Sequence, residues 1–222
     1  MDNPETEDSE GMVVFDLDGT LTVGKSVESA FFRYLLKYRR IRPANLFAMV
    51  LYYLKNIWRD PVKARKRNKI YLQNTAVQEV SEWIAAFIQE QGDTLFIPHM
   101  IELVRSHKNQ GQKLILITGA PEILVQALPI ISLFDSLHAT KLEAFHDRYT
   151  GQIDGVHYYG KVKADLVKRI AAESKTDLQK SFCYADADED REMMSLFGNP
   201  VAVSPEKQLR RVALEKDWKI IG

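Results

Sequence analysis

Short apolar runs that stop abruptly at polar residues constrain this chain most. Met12–Phe15 stops at Asp16, with Gly19 close behind. The run 113–117 stops at Thr118-Gly119, and 181–184 stops at Ala185-Asp186. The run 200–203 is a fourth, and 218–221 reads as a fifth. Runs this short and this apolar fit strands buried on both faces of a sheet. Helical patterns lie between them. Pro98–Asn109 carries Met100, Ile101, Leu103 and Val104; 121–128 opens on a proline suited to a first helical position; 163–172 sets Leu166, Val167 and Ile170 on one face. Strands alternating with helices predict an α/β domain whose parallel sheet is covered on both faces.

One stretch breaks the alternation. Residues 26–91 hold only helical patterns, at 26–40, 43–58, 61–74 and 75–91, with Pro43 and Pro61 as starts and Gly92-Asp93 as a stop. This divides the chain into a helical insert over 25–92 and an α/β core over 12–24 and 93–222. Residues 1–11 read as a disordered acidic tail. The segment 139–154 reads as a hairpin or an irregular extension.

Composition narrows the function. Lys plus Arg equals Asp plus Glu, at 30 each, so no global charge draws the chain to nucleic acid or anionic lipid. A local patch would have to do so. The single cysteine, Cys183, permits no internal disulfide and fits a reducing cytoplasm. The first ten residues are acidic where a secretory signal is basic and then apolar. The longest apolar stretch, 46–54, falls well short of the ~18 residues needed to span a bilayer. The expectation is a cytoplasmic protein without a transmembrane segment.

An open parallel sheet binds ligands outside the carboxyl ends of its strands. Asp16, Asp18, Thr118, Asp186, Asp188 and Asp190 therefore carry the information. Carboxylates gathered at one sheet edge repel each other. A hard divalent cation with oxygen ligands, Mg²⁺, relieves that repulsion and leaves room for phosphate.

The run Phe15-Asp16-Leu17-Asp18-Gly19-Thr20-Leu21-Thr22 resembles the first signature of the haloacid dehalogenase-like (HAD) superfamily. Thr118 after an apolar strand resembles the second. A lysine opening a helix, then Asp186 and Asp190, resemble the third and fourth. The helical insert after the first motif is similar to the phosphoserine-phosphatase-like subfamily. This resemblance implies a Rossmann-like, doubly wound sheet with an inserted α-helical cap. It also implies a Mg²⁺-dependent phosphatase acting on a small phosphorylated substrate through an aspartyl-phosphate. Asp16 would be the nucleophile and Asp18 the general acid and base. Thr118 and Gly119 would bind phosphoryl oxygens, and a lysine would neutralise charge. Asp16, Asp18, Asp186 and Asp190 would form the metal site. Lys161 and Lys163 compete for the lysine role, and the spacing to Asp186 favours Lys163.

Two departures matter. Ala185 and Ala187 flank Asp186 where the subfamily commonly has glycine and serine. Nine positions after Asp16, where phosphoserine phosphatases carry a glutamate for the substrate amine, stands Lys25. Lys25 is a candidate substrate contact and points away from phosphoserine. Runs around Arg39–Arg42 and over 63–69 are basic and read as solvated faces. The aromatics Phe31, Phe32, Tyr34, Phe47, Tyr52, Tyr53 and Trp58 read as the core of the cap. His99, His107, His138, His146 and His157 show no metal spacing. Competing readings are a lipid-phosphate phosphatase in peripheral contact with a membrane and a non-catalytic binding protein. Oligomeric state is left open.

Overall fold

The computed structural model describes residues 11–24, 26–58 and 69–222. Among these, six parallel strands form one sheet. They are β1 (Met12–Phe15), β2 (Lys113–Pro121), β3 (Ser136–Thr140), β6 (Phe182–Ala185), β7 (Asn199–Val203) and β8 (Lys219–Ile221). Their spatial order is β3-β2-β1-β6-β7-β8. The chain winds outward from β1 in one direction, then returns and winds out in the other. This is the Rossmann-like, doubly wound arrangement expected from the sequence. The order reverses between β1 and β6, which opens a crevice beyond the carboxyl ends of those two strands.

Strand alternation divides the core in two. Val13 and Phe15 face one side with Leu114, Leu116 and Tyr184. Met12 and Val14 face the other with Ile115, Ile117 and Cys183. The second face is covered by α6 (Lys161–Ser174), α7 (Arg191–Met194) and α8 (Lys207–Glu215), through Ala164, Val167, Met194 and Leu209. The first face is covered by α4 (Pro98–Asn109), through Met100 and Val104, and runs on into the insert, whose Phe31, Leu35, Ile84 and Phe87 belong to the same apolar cluster. Cys183 is a buried strand residue, as its surroundings in the sequence implied.

The insert contributes α1 (Val27–Lys37), α2 (Pro43–Asn56) and α3 (Val77–Gln91). Ser26 caps α1 by accepting from the Ser29 amide at 3.3 Å, with Glu28 in the first turn and Lys37 in the last. Pro43 occupies the first turn of α2, where its missing N–H costs nothing. Of the helix expected over 61–74, residues 61–68 lie outside the described residues, and Ile70–Leu72 forms a single 3₁₀ turn.

Several expectations need correction. The strand expected over 113–117 continues to Pro121, because the backbone stays extended through Thr118 and pairs Pro121 with Thr140 after a register shift. The following helix, α5, is accordingly confined to Glu122–Gln126. Strand β3 was not legible, since Ser-Leu-His-Ala-Thr offers no apolar run; it is an edge strand and needs fewer buried side chains. The segment 139–154 does contain a hairpin, β4 (Leu142–Phe145) paired antiparallel with β5 (Arg148–Ile153). The aromatics of the insert divide: Phe31 and Tyr34 are buried, but Phe47, Tyr53 and Trp58 are exposed. The exposed three lie on or just after α2, whose inward side is already filled by Asn45, Leu46 and Met49.

Candidate active site

The site grows from the loop after β1. The Asp16 amide donates to the Tyr184 carbonyl at 2.9 Å, so β1 and β6 remain paired up to the point where their loops diverge. The loop folds back on itself: the Leu21 amide and the Thr22 hydroxyl both donate to the Leu17 carbonyl. Gly19 has φ +81°, and a Cβ there would lie 2.2 Å from Asp186 Oδ2. Only glycine lets the loop pass this close to the second acid-bearing loop. Asp18 Oδ1 accepts from the Val27 amide at 2.8 Å, which ties the loop to the first turn of α1. One carboxylate thereby links the sheet edge to the insert.

Lys163 lies in the first turn of α6 with its side chain buried. Its Nζ donates to Asp16 Oδ1 at 2.6 Å and to Asp190 Oδ2 at 2.9 Å. Lys161, the competitor, is exposed at the start of the same helix. Asp190 ends the 3₁₀ turn Asp188–Asp190 after β6, and its Oδ1 is buried without a hydrogen-bond partner. Asp186 follows β6 directly. Thr20 Oγ1 sits 3.5 Å from Asp186 Oδ1. Thr118 is fully buried, and its Oγ1 accepts from the Ala120 amide at 3.1 Å. Asp188 is half-buried beside Arg191 at 3.7 Å and takes no part in this network.

These acids pay for their burial in proton affinity. Desolvation raises Asp16 above the usual carboxylate range, opposed by Lys163 and reinforced by Asp18. Desolvation pushes Asp18 to about 6 despite the Val27 N–H. It pushes Asp186 to about 8, with Asp16 and Asp190 adding to the effect. Asp190 reaches about 6, again chiefly through desolvation and against the pull of Lys163. Burial alone would lower Lys163, but Asp16 and Asp190 outweigh it and hold the ammonium charged well above its ordinary value. One lysine thus faces more buried carboxylate than it can neutralise.

A cavity of about 520 Å³ opens over this cluster. Asp16, Asp18, Thr118, Gly119, Lys163, Asp186 and Asp190 all line it, so the structure brings these seven together. Lys25 lies outside the described residues. Other residues of the wall were not foreseen. Glu28 on α1 accepts from Lys69 Nζ at 2.5 Å and from the Tyr71 hydroxyl at 2.9 Å. Lys69 is therefore a buried, paired cation, where the sequence suggested a solvated basic run. Nothing local marks it, because its partner is 41 positions away. His157, given no role from the sequence, also lines the cavity, with Nδ1 3.0 Å from Thr140 Oγ1. Tyr159 donates to Glu189 at 2.6 Å and joins the loop before α6 to the one after β6.

Among the described residues, no three His, Cys, Asp or Glu side chains stand ready as a metal cluster. A site made of two carboxylates and a backbone carbonyl needs fewer. The over-supply of buried negative charge and the unpartnered Asp190 Oδ1 fit a divalent cation bound at this edge.

A doubly wound sheet, with acids from two neighbouring strand ends and a buried lysine between them, defines an α/β protein with an acid-rich site at its sheet edge. The model of the haloacid dehalogenase-like hydrolase family matches residues 13–195, and the chain belongs to that family. The histidinol-phosphatase of Neisseria meningitidis serogroup C is 28% identical over 221 residues, covering 95% of this chain and 98% of that protein. The phosphoserine phosphatase SerB1 of Mycobacterium tuberculosis is 28% identical over 217 residues, covering 93% and 68%. A crystal structure of a Bordetella pertussis protein superposes with a TM-score of 0.78 at 22% identity, covering 96% of this chain and 99% of that one. The family and these relatives bear out the expectation of a phosphatase related to the phosphoserine phosphatases.

Proposed function

We propose that the chain is a Mg²⁺-dependent phosphomonoesterase that cleaves a small phosphorylated metabolite through an aspartyl-phosphate on Asp16. The observation that carries this reading is Lys163 Nζ held between Asp16 and Asp190. It fixes Asp16 at the mouth of the crevice, keeps its carboxylate available for attack and leaves a cation beside the incoming phosphate.

Asp16 attacks phosphorus, forming an acyl-phosphate bond as the ester P–O bond breaks. Asp18 gives its proton to the departing alkoxide. It then takes a proton from the water that hydrolyses the aspartyl-phosphate, returning Asp16 to its starting state. A carboxyl group titrating at about 6 suits both steps near neutral pH. The Thr118 hydroxyl and the Gly119 amide bind phosphoryl oxygens, and Lys163 offsets their charge. Asp16, Asp186, Asp190 and the Asp18 backbone carbonyl are the groups that would hold or orient Mg²⁺, with Asp190 engaged to Lys163. When bound there, Mg²⁺ would supply charge neutralisation for the oxygens of the transferring group.

The helical insert acts as a cap. Through Glu28 and Lys69 it supplies part of the cavity wall, and the cavity, at about 520 Å³, lies within the roughly 300–1,000 Å³ typical of small-molecule sites. In sequence, Lys25 stands where phosphoserine phosphatases carry a glutamate, which argues for a leaving group that is neutral or anionic. Catalysis in the cytoplasm fits the single buried cysteine. Among the described residues, no helix is long and apolar enough to cross a membrane. A Mg²⁺-dependent phosphate-release screen over phosphorylated metabolites, with Asp16→Asn as the blank, tests the reading. Release by wild type alone supports it. Equal release by both proteins overturns the mechanism.

A further inference from the structure

The outward face of α2 is apolar and uncovered. Phe47, Val50, Leu51, Leu54 and Trp58 recur at helical spacing, and each is exposed, Phe47 at 68% and Trp58 at 93%. The opposite face does the packing: the Asn45 amide group donates to the Gln73 carbonyl at 2.8 Å, and Met49 lines the cavity. Thirteen large apolar side chains are exposed among the described residues, and six of them, counting Tyr53, lie on α2 or just after it. Scattered exposed apolar residues need no explanation, but a continuous stripe on one helix does.

The stripe has a charged frame. Arg39, Arg40 and Arg42 are exposed just before α2, and Lys55 is exposed at the edge of the stripe. In sequence, residues 38–68 carry nine Lys or Arg and one acid, Asp60, in a chain whose totals are 30 and 30. The part of that run over 59–68 lies outside the described residues and enters only as sequence charge. The remainder of the chain is net acidic, so this segment alone favours an anionic surface.

We propose that α2 docks the insert onto an anionic lipid bilayer, lying in the plane of the interface with its apolar stripe down. An aromatic at the end of an apolar helix face, framed by basic residues, is the pattern of a helix resting on a membrane rather than crossing it. Nearby Lys and Arg add attraction to acidic headgroups. A second copy of the chain is the poorer occupant, because face-to-face pairing would bring two cationic frames together. The docking face is not the face that lines the cavity. The inference stands independently of the catalytic reading.

The test is co-sedimentation of the full chain with phosphatidylglycerol–phosphatidylcholine vesicles, with pure phosphatidylcholine for comparison, at low and high salt. The expected result is low-salt binding to the acidic vesicles with a blue shift in tryptophan emission that Trp58→Phe removes. Leu51→Ser with Leu54→Ser, and separately Arg42→Glu with Lys55→Glu, are expected to weaken binding by roughly 10-fold or more without shifting the melting temperature. Absence of binding to acidic vesicles overturns the proposal. So does binding that neither pair of substitutions changes, or self-association abolished by Leu51→Ser with Leu54→Ser in a protein that ignores vesicles. If a variant melts early, vesicle binding by the wild type and the Trp58 emission still decide.

Discussion

Lys163 Nζ lies 2.6 Å from Asp16 Oδ1, although 147 positions separate the two residues, and both are buried. The contact joins the end of the first strand to the first turn of α6. The same nitrogen reaches Asp190 at 2.9 Å, so one ammonium group closes three segments over a single point. Removing it leaves two buried acids without their cation. Lys163→Met is expected to cost about 3–5 kcal/mol at neutral pH without Mg²⁺, and to abolish phosphate release. Lys161→Ala is expected to leave both unchanged, since that side chain is exposed. Thermal melts and a phosphate-release assay on the two variants check this; an inactive Lys161→Ala beside an active Lys163→Met would reverse the assignment.

Asp16→Asn keeps the shape of the side chain and removes the nucleophilic charge. Phosphate release is expected to fall by roughly 10³-fold or more, with the fold retained. Intact-mass measurement after rapid quench should detect a phosphoryl adduct on wild type and none on the variant. An adduct on the variant would place the nucleophile elsewhere.

The pH dependence of stability follows from the sign of the carboxylate shifts. Asp16, Asp18, Asp186 and Asp190 all bind protons more tightly folded than unfolded, Asp18 and Asp190 to about 6 and Asp186 to about 8. Between the ordinary carboxylate range and pH 8, the folded state therefore holds more protons, and stability falls as pH rises. Lys163 is shifted in the same direction, so its contribution is also lost as pH rises, but only above the ordinary lysine range, outside this window. In EDTA the melting temperature is expected to drop from pH 5 to pH 8. Mg²⁺ is expected to raise it more at pH 8 than at pH 5, where protons already neutralise the cluster. A Mg²⁺ effect independent of pH would contradict this account of the site.

Gly19→Ala introduces a Cβ where Asp186 Oδ2 lies, at a φ of +81° that alanine adopts poorly. The loop or the Asp186 carboxylate must move. The expected cost is about 1 kcal/mol or more in stability, from the backbone alone. Activity is expected to fall further than stability does, because the displaced group is an acid of the site. Denaturant melts and kcat measured side by side separate the two effects.

Much of the site was legible because its chemistry is written at strand ends. Asp16, Thr118 and Asp186 each close an apolar run, and a parallel sheet sends all such ends to one edge. Two-residue strand alternation and 3.6-residue helix spacing are local, so the sequence alone determined the α/β layering, the helical insert and the positions of the acids. The three-dimensional fold decided what depends on distant partners. It buried Lys163 and left Lys161 exposed. It drew Lys69 out of an apparently solvated basic run to meet Glu28. It recruited an edge strand at 136–140 that carries no apolar signal. It also turned Phe47 and Trp58 outward while burying Phe31 and Tyr34, although all four look alike in sequence. Hydrophobicity says that a side chain gains by leaving water. Which side chains can leave is decided by the packing space that the other elements provide, and α2 offers that space on one face only.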